Sequence, residues 1–126
     1  MKSVKKIFIA FAIADQRLRD ILMGKLQSSA KHRLTFRIYR YASQKAYDSG
    51  WKTKVRTRIR RSDGVIALIS KNSLSSSGQK WELACETEEG KKILGIWAYS
   101  DDRTNIPGVN TKTWTWPNIE SFMNSL

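Results

Sequence analysis

Residues 4–15 read VKKIFIAFAIAD, and inside them runs an unbroken apolar stretch from Ile7 to Ala14. With the basic start MKSVKK before it and an Ala-x-Ala end, the stretch has the outline of a secretory signal. It also has the length and continuous apolar character of a strand buried on both faces. The run is near the shortest signal core, and its removal would leave a domain starting inside a helix. The strand reading is therefore preferred, with Val4 to Phe11 at the centre of a sheet.

Working outward, Leu18, Ile21, Leu22 and Leu26 recur at i, i+3, i+4 and i+8, which predicts a helix from Asp15 with one apolar stripe. LTFRIYRY (34–41) reads as a second strand. After a polar loop, Trp51, Val55 and Ile59 repeat every fourth residue among Lys52, Lys54, Arg56, Arg58, Arg60 and Arg61. That is an amphipathic helix with a basic rim. Ser62-Asp63-Gly64 breaks it, and VIALIS (65–70) is another apolar run of strand length.

The loop KNSLSSSG leads into a short helix from Gln79 to Glu89, which Gly90 ends as a left-handed cap. ILGIWAY (93–99) is the fourth strand, and TKTWTW (111–116) reads as an edge strand. Pro117 then opens a terminal helix through Ile119, Phe122 and Leu126. Strands alternating with helices, the inner ones apolar throughout, predict a doubly wound parallel sheet of four to five strands. The expected architecture is α/β, a three-layer flavodoxin-like fold. Ligands bind such sheets at the carboxyl ends of the strands, here the loops after Phe11, Tyr41, Ser70 and Tyr99.

The totals agree with one domain spanning 1–126, because 40% hydrophobic content and thirteen aromatics can fill one core. The net charge of +12 is uneven: residues 1–62 hold 17 Lys and Arg against 3 Asp and Glu, and residues 63–126 hold 6 against 8. The first half should attract anions. Cys85 and His32 are the only cysteine and histidine, so no disulfide framework and no Cys/His zinc site is expected, which suits a reducing cytoplasm. No later stretch approaches the ~20 apolar residues of a membrane span.

Nucleic-acid signatures are missing, and the basic positions on the second helix are spread around it, so polynucleotide binding is not expected. No GxGxxG follows the first strand and no Walker phosphate loop occurs, so dinucleotide redox and NTP-hydrolysing chemistry lose support. Glu82, Glu86 and Glu89 lie at i, i+4 and i+7. That spacing fits a solvated acidic stripe. Glu82 differs from its neighbours in position, since it follows the loop after the third strand at the ligand edge, whereas Glu86 and Glu89 point away.

Four stretches in order resemble the Toll/interleukin-1 receptor (TIR) domain family, most closely the short bacterial TIR-like group of Thoeris anti-phage systems. They are KKIFIAFAIAD, WKTKVRTRIRRSDGVIALISKNSL, KWELACETEEGKKILGI and TWTWPNIESFMNSL, spaced so that the match extends over nearly the whole chain. The third resembles the family's hallmark helix, with a glutamate eight residues before a glycine. The resemblance implies cleavage of NAD⁺, as substrate rather than cofactor, with Glu82 as the catalytic carboxylate and no metal.

It further implies a cyclic or modified ADP-ribose signal that reaches a separate effector. Phe11, Ala12, Asp15, Ser70 and Trp81 are the expected substrate contacts, with Arg40, Lys45 and Lys52 as candidates for the pyrophosphate. Self-association through TIR–TIR contacts is expected too. Many TIR domains only assemble, and on that alternative Glu82 is a surface residue and the basic rim a docking face.

Overall fold

The computed structural model describes residues 6–28, 35–37 and 49–126. Five strands form one sheet: β1 (Lys6–Ala10), β2 (Thr35–Arg37), β3 (Gly64–Ile69), β4 (Ile93–Trp97) and β5 (Thr111–Lys112). Their spatial order is β2-β1-β3-β4-β5 and every pairing is parallel. The helices are α1 (Gln16–Ser28), α2 (Ser49–Arg61), α3 (Ser77–Glu88) and α4 (Trp116–Asn124). This is the flavodoxin-like order, whose reversal point lies between β1 and β3.

The apolar runs are explained by alternation with both faces covered. Ile7, Ile9, Ile66 and Leu68 face a core shared with Leu22 and Leu26 of α1 and Ile119 and Met123 of α4. Phe8, Ala10, Val65, Ala67 and Ile69 face the other, with Val55 and Ile59 of α2 and Leu83 of α3. Each strand thus needs an apolar residue at every position. On α2, Val55 and Ile59 are buried as the four-residue repeat predicts, and the side chain of Trp51 lies outside the described residues.

Three expectations shift. Helix α3 begins at Ser77 rather than Gln79, because the Ser76 hydroxyl caps it by accepting from the Gln79 amide at 3.1 Å. Gly90, at φ 70°, takes the left-handed position after it. The TKTWTW strand shrinks to Thr111–Lys112, since Pro117 holds the first turn of α4 and Thr115 serves as its N-cap. Ile21 was expected on the buried stripe of α1, yet it is 47% exposed, while Leu22 and Leu26 are buried and Leu18 is half-buried. No helix among the described residues is long and apolar enough to cross a membrane.

Candidate active site

The carboxyl ends of β1, β3 and β4 are joined by one buried carboxylate. Asp15 closes a 3₁₀ turn after β1 and is fully buried. Its Oδ2 accepts from Ser70 Oγ at 2.5 Å, and its Oδ1 accepts from Asn72 Nδ2 at 2.8 Å and from the Tyr99 hydroxyl at 3.0 Å. Burial first, and then the hydrogen bond to Asp15, raises the Tyr99 pKa, so the phenol remains a donor. Ser70 Oγ also accepts from the Asn72 amide at 3.0 Å, capping the 3₁₀ turn Lys71–Ser75. Asp15 and Ser70 are brought together, each bonded to the other.

Beside this hub, Gln79 fastens the start of α3 to the sheet. Its Nε2 donates to the carbonyls of Leu68 at 2.8 Å and Ala10 at 3.2 Å, at the ends of β3 and β1. Gln79, Glu82, Leu83 and Glu86 follow at i, i+3, i+4 and i+7, and all four are buried. This is the sheet-facing stripe of the helix. The solvated acidic stripe is therefore overturned for two of its three members: Glu82 is 1% exposed and Glu86 not at all.

Glu89 behaves differently because it lies past the last turn, within reach of α2. It accepts from Arg56 at 2.9 Å and from Arg60 at 3.1 Å. The bond from Arg60, aided by that from Arg56 and opposed by burial, holds its carboxyl below the usual glutamate range. Part of the basic rim of α2 is thus spent on tying α2 to α3. Glu86 has no such help: neither side-chain oxygen has a hydrogen-bond partner among the described residues. Burial pushes its pKa well above 4.5, and the nearby charge of Glu82 adds to the effect.

Glu86 binds its proton more tightly folded than unfolded, so over the interval from 4.5 up to its folded pKa the native state holds more protons. Stability contributed by this group is fully present below 4.5 and falls as pH rises through that interval. Glu86→Gln keeps the shape and removes the titration. Its melting temperature, measured from pH 4 to pH 9, is expected to exceed wild type by a margin that widens with pH; a constant difference would show that Glu86 is not a buried acid.

The other expected contacts divide between locations. Ala12, with Ile13, Ala14 and Ser75, Ser76 and Ser77, lines an open cleft of about 300 Å³ at the start of α3. Trp81 is half-buried toward α2, with Lys52 Nζ 5.8 Å and the Arg56 guanidinium 5.7 Å from its ring centroid. Phe11 does not join them. It lies in the core on the α1 side of the sheet, opposite α3, under the Arg19 guanidinium at 4.8 Å. Arg40 and Lys45 lie outside the described residues.

Asn72, Tyr99 and Gln79 stand at the candidate site, and the reading of motifs missed them. Topology names the loops that carry Asn72 and Tyr99 but not which polar side chain turns inward. Gln79 and Glu86 did leave a signal, the shared spacing with Leu83.

A search of curated proteins gave no match. The protein-family model for the Thoeris protein ThsB, TIR-like domain, matches residues 8–103, from inside β1 past the end of β4. The matched span holds Asp15, Ser70, Asn72, Gln79, Glu82 and Tyr99, and this family bears on anti-phage defence. By that match, which spans well over half of its length, the chain belongs to the Thoeris ThsB TIR-like domain family.

Proposed function

We propose that the protein cleaves NAD⁺ and produces a cyclic or otherwise modified ADP-ribose signal for a separate effector, with Glu82 as the catalytic carboxylate. The observation that carries this reading is the burial of Glu82 on the sheet-facing side of α3, in a helix whose start Gln79 fastens beside the strand-order reversal. A carboxylate is costly to bury, and of the two on this stripe Glu82 lies nearer the start of α3 that Gln79 fastens.

The reaction breaks the bond between ribose C1′ and the nicotinamide nitrogen. The electron pair leaves with nicotinamide, which is already cationic in NAD⁺ and needs no general acid, unlike the leaving groups of ordinary glycoside cleavage. Positive charge develops on C1′ and the ring oxygen. Glu82 stabilises that charge from a site of low dielectric, where one negative charge acts strongly. Water or a second nucleophile then adds to C1′.

The cleft beside Ala12 offers the hydroxyls of Ser75, Ser76 and Ser77 and the start of α3 to the pyrophosphate, as helix N-termini offer amides to anions. Lys52, near Trp81, supplies a cation on the α2 side, and Arg40 and Lys45 complete the same expectation. Assembly through TIR–TIR contacts accompanies catalysis on this reading. The exposed basic side chains of α2, Lys54, Arg58 and Arg61, favour the alternative of a docking scaffold without chemistry.

Nicotinamide release separates the two. Concentrated protein, and the same protein in lysate of phage-infected cells, is expected to release nicotinamide from NAD⁺ in at least one of the two conditions. Absence of release in both leaves the scaffold.

A further inference from the structure

A cavity of about 380 Å³ lies between α1 and the end of β4, and among the described residues neither Glu82 nor any other residue of α3 lines it. Its size is within the range of small-molecule sites. Among the described residues three large apolar side chains are exposed, and two of them, Ile21 and Tyr99, line this cavity. Leu18 and Trp114 supply further apolar wall and pack on the core behind it. The exposure of Ile21, which the stripe of α1 would otherwise bury, thus has a consequence: it keeps an apolar wall open to solvent.

Among the described residues Lys25 and Arg103 line the cavity and no Asp or Glu does. Arg103 is braced, its guanidinium 4.6 Å from the Trp97 ring centroid, and the Trp97 indole in turn donates to the Thr104 carbonyl at 3.0 Å. Two cations beside an aromatic wall match a phosphate monoester, which carries about −1.5 to −2 near neutral pH, better than they match a neutral ring or a single carboxylate.

We propose that this cavity binds a small aromatic phosphate monoester, its ring against Ile21, Tyr99 and Trp114 and its phosphate toward Lys25 and Arg103. The site is separate from Glu82 and stands whether or not the protein cleaves NAD⁺. It touches the candidate active site at one point, because the Tyr99 hydroxyl on its wall is bonded to Asp15.

Calorimetric titration of the full chain with 1-naphthyl phosphate tests the proposal. Saturable binding to one site is expected, at least about tenfold weaker in Ile21→Glu and in Arg103→Gln, a loss of about 1.4 kcal/mol. Both positions are exposed, and unchanged melting temperatures verify the fold of each variant. 1-Naphthol and inorganic phosphate, each carrying half of the recognition, are expected to bind more weakly than the ester. Glu82→Gln is expected to bind the probe as wild type does. The proposal is overturned if no saturation occurs at millimolar probe, if both cavity variants bind unchanged, if inorganic phosphate alone binds equally well, or if Glu82→Gln loses the probe.

Discussion

Glu82→Gln is expected to lower NAD⁺ cleavage by roughly a hundredfold or more, a loss of about 3 kcal/mol of transition-state stabilisation, while the protein stays folded. Gln keeps the volume and helix propensity of Glu but carries no charge to set against the cation forming on the ribose. The loss belongs in kcat more than in KM, because the charge it answers develops only in the transition state. Glu86→Gln, one turn further along the same buried stripe, changes the pH dependence of stability and is expected to leave turnover nearly unaltered. Glu89→Gln removes the ion pairs to Arg56 and Arg60 outside the site and is the second control. Equal rates for activated wild type and Glu82→Gln would end the catalytic reading.

The three glutamates also mark where reading the sequence succeeds and where it stops. The strands were legible because β1 and β3 lie under helices on both faces, and only unbroken apolar runs such as IFIA and VIALI satisfy that environment. Helix α2 was legible for a similar reason, since Val55 and Ile59 face the sheet and the charges do not. Helix α3 was harder: its buried face presents Gln79, Glu82 and Glu86 with Leu83, a pattern that looks solvated to any rule built on apolarity. Local rules fail where a buried helix face carries polar side chains, and two carboxyls facing a sheet are such a failure.

The same limit explains Asp15. Its three donors come from positions 55, 57 and 84 residues further along, so no local spacing could have joined them. Ile21 and TKTWTW failed by competition instead. A stripe of four apolar residues is wider than the face of α1 that meets the sheet, and the alternation of Thr with Trp gave way to the cap that Pro117 requires.

Asp15→Ala is expected to destabilise the protein by about 3 kcal/mol, because it removes a buried acceptor of three hydrogen bonds and strands the Ser70 hydroxyl, which is itself buried. For a chain of this size that loss lowers the melting temperature by roughly 10 °C. Asp15→Asn retains one oxygen for Asn72 and Tyr99 and loses the acceptor for Ser70, so a smaller loss of about 1 kcal/mol is expected. The two variants together separate a brace from a substrate contact. If Asp15 holds the loops after β1, β3 and β4 together, NAD⁺ cleavage should decline in step with stability across Asn and Ala, and amide exchange should quicken around Ser70 and Tyr99. A variant that melts like wild type yet no longer binds NAD⁺ would instead return Asp15 to the substrate-contact role expected from the family resemblance.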